Sequence, residues 1–227
     1  MRQAPTIFDK LASIGCQFSN VTLTSVDIEQ ALAEAIETLP YSKDTGRILK
    51  VLCSWIIENG SQVILEKLVK ILAQKESEGA DVSYAALLGA FAVTQKIHKW
   101  AILKKFKPAA IKEVGDRKGV KELEEWAREV NFSIQKRAIQ PDSKYTLSRA
   151  QIAQMHRQFR NRLVYGAQYR ADIITAIQLG VTAVKDIVTL VGVSREPASR
   201  ILKDLKDAGF LKEKGPPKKS RSYLDLS

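Results

Sequence analysis

Leucine and isoleucine recur at spacings of three and four over most of the chain, and strand-like alternation is nearly absent, so the pattern predicts a mainly α protein. Ile28, Leu32, Ala35, Ile36 and Leu39 share one face of a first helix that Pro40 ends. Asp27 and Glu29 stand in its first turn, where the macrodipole favours negative charge. Ser42 reads as the N-cap of a second helix carrying Ile48, Leu49, Leu52 and Ile56, stopped at Asn59-Gly60. Ser61 opens a third helix that ends at Gly79. Ser83 opens a fourth, through Leu87, Leu88, Phe91 and Ile97 towards Phe106 and Pro108. A short charged helix around Leu123 and Trp126 follows a glycine-bracketed loop at 115–119.

Gln140-Pro141-Asp142-Ser143 combines a proline with turn formers and marks the predicted domain boundary. Beyond it, Ser148 caps a helix through Ile152, Met155 and Phe159, another spans 168–179, Thr182 caps one that closes at Val191, and the last runs over 195–208. Residues 210–214 and 222–226 are the only strand candidates, and Gly215-Pro216-Pro217 between them supplies a turn, which predicts a small β-hairpin. The organisation expected is therefore an N-terminal arm (1–24), an all-helical domain (25–140) suited to oligomerisation or to binding a partner or effector, and a C-terminal domain (141–227).

Composition narrows the function. Of 227 residues, 45% are hydrophobic, enough for a core, so wholesale disorder is excluded. Thirty-six lysines and arginines against 25 acids leave a net charge of +11, which makes a polyanion the leading partner. Cys16 and Cys53 cannot build a disulfide framework and fit a reducing, cytoplasmic setting. The longest uncharged run, from Val82 to Gln95, falls short of the about 20 apolar residues of a membrane span. No signal peptide is visible.

Catalytic signals are sparse. His98 and His156 stand alone, without zinc-ligand spacing. Gly115-Asp116-Arg117-Lys118-Gly119 lacks the ending of a phosphate loop. The expectation is no enzyme, no metal and no cofactor. Lys96, His98, Lys99, Lys104, Lys105 and Lys107 cluster at the end of the fourth predicted helix, either as a second nucleic-acid contact or as cations that a helix C-terminus favours. Trp100 and Trp126 read as core anchors.

The informative stretch lies near the end. Lys185-Asp186-Ile187-Val188-Thr189-Leu190-Val191 precedes the turn Gly192-Val193-Ser194. Next come Arg195-Glu196-Pro197-Ala198-Ser199-Arg200-Ile201-Leu202-Lys203-Asp204-Leu205 and Ala208-Gly209-Phe210-Leu211. Glycine tolerates a positive φ at the turn, Val193 packs between the helices, and Ser194 is placed to accept a hydrogen bond from the helix start. With Ala198, Leu202 or Ile201, and Leu205 turned inward, the outer face carries Arg195, Glu196, Ser199, Arg200 and Lys203.

Two short helices about a glycine turn, followed by a hairpin, make the outline of a helix-turn-helix with a wing. The residues resemble the winged helix-turn-helix transcription regulators of bacteria over the last third of the chain. The resemblance implies double-stranded DNA as partner, a homodimer on two half-sites, and a recognition helix at 195–208 in the major groove. Ser194, Arg195, Ser199, Arg200 and Lys203 would then contact DNA, as would Lys214, Lys218, Lys219 and Arg221 of the wing. Arg149, Arg157, Arg160, Arg162 and Arg170 add cations just upstream, for phosphates or for acids within the fold.

A second run, Phe159-Arg160-Asn161-Arg162-Leu163-Val164-Tyr165-Gly166 followed by Tyr169-Arg170-Ala171-Asp172-Ile173, resembles proteins paired with nucleotidyltransferase-type toxins. That resemblance implies an antitoxin that represses its own operon, with a toxin as protein partner. A winged helix that docks an acidic protein is the remaining alternative.

Overall fold

Thr6 and Asp9 each bond the other's backbone N–H, and this capping box starts α1 (Ile7–Ser13). In the computed structural model, which describes residues 4–114, 122–213 and 224–226, the chain is mainly helical. It divides into two compact units, Met1–His156 and Arg157–Ser227.

In the first unit, Asp27 accepts the Gln30 N–H at 3.1 Å and caps α2 (Ile28–Thr38). There follow α3 (Thr45–Asn59), α4 (Leu65–Ser77) and α5 (Tyr84–Thr94). Two predicted starts move. The N-cap of α3 is Asp44, not Ser42, whose hydroxyl instead accepts the Asp44 N–H in a turn. A 3-10 turn, Gly60–Gln62, takes up Ser61, so α4 begins only at Leu65.

Every residue of α5 from 84 to 92 is buried. A helix apolar on all sides belongs at the centre of a packed unit, and α5 packs against α3 on one side. The 3-10 segment His98–Phe106 lies along it as well. Gly89 allows that approach, because a Cβ there would stand 2.8 Å from the Trp100 carbonyl oxygen. The predicted fourth helix is therefore two elements. Lys96 turns left-handed (φ 62°) and ends the α-helix before the 3-10 segment begins.

Two strands were invisible in the pattern. β1 (Lys112–Val114) pairs in parallel with β2 (Phe132–Ile134), in the register Lys112 to Phe132 and Val114 to Ile134. The helix between them, α6, covers only Glu125–Arg128. All three β2 residues are buried, and Phe132 meets Tyr84 edge-on, with ring centroids 5.1 Å apart.

Both proposed boundaries of the helical domain shift. The supposed arm is part of the first unit: Leu11 and Ile14 are fully buried, and the Trp55 indole donates to the Ile14 carbonyl at 2.8 Å. The supposed linker at 140–143 also packs there, with the Asp142 N–H donating to Ser54 Oγ at 3.1 Å. Next to it, Thr146 bridges to Cys16, the Gln17 N–H donates to Tyr145 at 2.9 Å, and the Leu147 N–H donates to Gly15 at 2.8 Å. Division of the chain comes later. The apolar period predicts one helix here, but His156 is extended (φ −122°, ψ 103°) and separates α7 (Arg149–Met155) from α8 (Arg157–Tyr165).

The second unit adds α9 (Tyr169–Gln178), α10 (Val184–Val191) and α11 (Arg195–Asp207). β3 (Leu211–Glu213) then pairs antiparallel with β4 (Leu224–Leu226). Ile173 and Ile177 of α9, Ile187 and Val191 of α10, and Leu202 and Leu205 of α11 form one core, to which Val193 and Ala198 belong. Gly192 takes φ 74° at the end of α10, as the turn requires, and lets the chain reverse into α11. The N-cap of α10 is Ala183, without a side-chain bond, and not Thr182 as the sequence predicts.

Candidate nucleic-acid interface

α11 is held by its inner face. Ala198 is fully buried, and Leu202 and Leu205 nearly so, which fixes the rotation of the helix on α9 and α10. The 3.6-residue period then leaves Arg195, Glu196, Ser199, Arg200 and Lys203 exposed, and these five line one shallow concavity. Four of the residues singled out from sequence, Arg195, Ser199, Arg200 and Lys203, thus meet on one surface. Among the described residues none of Arg195, Arg200 and Lys203 has an ion-pair partner, so three cationic heads remain available to an external anion. Such an array suits an acidic polymer: guanidinium offers two parallel donors to a planar acceptor edge, and ammonium offers a point charge to a phosphate.

Ser194 is also exposed and has the extended backbone of an N-cap, but its side chain accepts no bond from the helix. Pro197 removes one of the two donors that a cap can use. It occupies the third helical position and has no N–H to give. Ser194 Oγ is not tied down as a cap. Lys214, Lys218, Lys219 and Arg221 lie outside the described residues, as does the loop at 115–119.

The upstream arginines divide. Arg162 is buried and forms a two-pronged bridge to Asp172, Nε to Oδ1 at 2.8 Å and Nη2 to Oδ2 at 2.7 Å. Gln158 also donates to Asp172 Oδ2, at 3.0 Å. The run that resembles toxin-paired proteins therefore has its Arg162 and Asp172 paired with each other. Arg149 donates to the Glu58 carbonyl and Arg157 to that of Gln178. Arg170 bridges to Asp204 of α11 at 2.8 Å, a contact that no spacing in the sequence announces. Only Arg160 of this group is exposed without such a bond among the described residues.

In the first unit the lysine cluster is partly committed. Lys99 donates to the carbonyls of Ser61 and Val63, and Lys104 pairs with Glu129 at 3.0 Å. Lys96, His98, Lys105 and Lys107 are exposed. Lys96 stands just past the end of α5, where a helix C-terminus favours a cation, whereas His98 and Lys105 lie within the 3-10 segment and Lys107 caps it. Trp100 is buried, donating its indole N–H to Gly60 at 3.1 Å, while Trp126 is half-buried against Phe91. Burial pushes the Cys16 and Cys53 thiols well above the ordinary range, which leaves them unreactive. The His156 ring lies 2.9 Å from the Val26 carbonyl.

No protein-family model, no curated protein and no solved structure matches the chain. Among the described residues no helix is long and apolar enough to cross a membrane.

Proposed function

We propose that the protein is a sequence-specific DNA-binding transcription regulator whose C-terminal unit works as a winged helix-turn-helix. The observation that carries this reading is the outer face of α11: two guanidiniums and an ammonium, exposed and without ion-pair partners among the described residues, on a helix anchored behind by an apolar core. A major groove admits an α-helix, and arginine grips guanine O6 and N7 with two hydrogen bonds, worth about 1–3 kcal/mol of discrimination. In this reading Arg195 and Arg200 read guanines, Ser199 adapts to either base, Glu196 accepts from a cytosine amino group, and Lys203 meets phosphate. The β3–β4 pair supports a basic wing bearing Lys214, Lys218, Lys219 and Arg221, which touches the backbone or minor groove. A homodimer would set two such helices on half-sites one helical turn apart.

The test is a mobility-shift titration of the whole protein on fragments of its source genome over a salt series. Affinity is expected to fall linearly on logarithmic axes, with a slope of about −0.9 per phosphate neutralised. Arg200→Ala should relax base choice at one position. Lys218→Ala should weaken all sequences alike. Absence of binding at low salt would overturn the reading in favour of a module that docks an acidic protein.

A further inference from the structure

Arg200 stands between two acids on its own helix, Glu196 one turn before it and Asp204 one turn after. Side chains four residues apart on a helix are neighbours, and opposite charges at that spacing attract. Arg200 nevertheless forms neither pair among the described residues and stays on the exposed face. Asp204 is occupied from elsewhere: Arg170, in the first turn of α9, donates Nη2 to its Oδ2 at 2.8 Å, with 43% and 47% of the two side chains exposed. Because α9 and α11 share one core through Ile173, Ile177, Leu202 and Leu205, the guanidinium of Arg170 arrives at Asp204 from a fixed direction.

We propose that Arg170 is a positioning residue for the α11 face: by holding the Asp204 carboxylate it keeps Arg200 free to reach a base and cancels the acid that adjoins Lys203. The proposal rests on the DNA-binding reading. Its chemistry is a competition between two guanidiniums for one carboxylate. Without Arg170, Arg200 must leave Asp204 before it can enter a groove, and a bare carboxylate faces the phosphates.

The experiment uses the full-length protein and DNA fragments selected by the unaltered protein. Arg170→Ala is expected to weaken specific binding about fivefold, about twofold from the helical pair that Arg200 must break and the rest from the exposed acid. Adding Asp204→Ala to it should return affinity to within about twofold of the unaltered protein, and Arg170→Lys should retain most of it. Thermal unfolding of each variant shows that the fold is kept, since an exposed ion pair contributes little to stability. Rescue by Asp204→Ala is the outcome that a merely structural bridge would not give. Normal binding by Arg170→Ala would overturn the proposal and leave the DNA-binding reading intact. So would a loss that Asp204→Ala does not repair, accompanied by a salt slope smaller by one phosphate, because Arg170 would then touch the backbone directly. If the unaltered protein selects no fragments at low salt, both readings fall together.

Discussion

Gly192 shows how much one residue can specify. Its φ of 74° is left-handed, and a Cβ built there would meet nothing within 4 Å, so Gly192→Ala tests backbone strain without a clash. The expected cost is about 1–2 kcal/mol, the penalty of the left-handed region for a residue with a Cβ. Urea unfolding should show a lower midpoint at an unchanged slope, and native far-ultraviolet circular dichroism should be unaltered. Ser194 teaches the opposite lesson. Its identity and position announce a cap, yet the bond is missing, and a proline three residues on removes one of the two donors that a cap can use. Reading a cap therefore requires the donor as well as the acceptor. Ala198, Leu202 and Leu205 were legible as the inner face of α11 because each follows the helical period without competition from a neighbouring rule.

Elements with a sustained apolar period and clear end signals, such as α2, α9, α10 and α11, appear where the sequence puts them, to within a residue or two at their ends. Failures have identifiable causes. A left-handed lysine at 96 and an extended histidine at 156 break helices whose apolar spacing continues across the break. Three-residue strands such as β1 and β2 are too short for a period of two to register, and their parallel pairing depends on distant chain. Charge readings stay open for a different reason, because a run of arginines does not say which of them finds an acid. Arg162 found Asp172 and joined α8 to α9 in a buried bridge. Removing one member of such a pair strands a buried charge, so Arg162→Ala should cost about 3–5 kcal/mol. Chemical denaturation should show this as a large loss of stability, accompanied by loss of DNA binding only in proportion to the unfolded fraction. A loss of binding by a variant that remains folded would return Arg162 to the interface.

At the scale of the molecule the clearest discrepancy concerns where the chain divides. A proline beside turn formers at 140–143 carries the same local signal whether it separates two domains or sits within one, and only the bonds to Ser54, Cys16 and Gly15 decide for the latter. Two truncations make the point measurable. A chain ending at 156 keeps the Tyr145–Gln17 and Leu147–Gly15 bonds and should unfold cooperatively. A chain ending at 140 loses them and should show a broadened transition with bound hydrophobic dye, as judged by calorimetry and fluorescence.

The pairing of 15–17 with 145–147 also bears on biosynthesis. Thr146 Oγ donates to the Gly15 carbonyl at 3.3 Å, across 131 positions of chain. At about 5–20 residues per second, a ribosome needs roughly 7–26 s to add that length. Throughout that interval the nascent segment at 15–17 lacks its mate, while α1 through α5, once made, can already collapse upon one another. Later-made residues thus fasten earlier-made ones, and the N-terminal unit closes like a clasp only once residues 145–147 have been made and released.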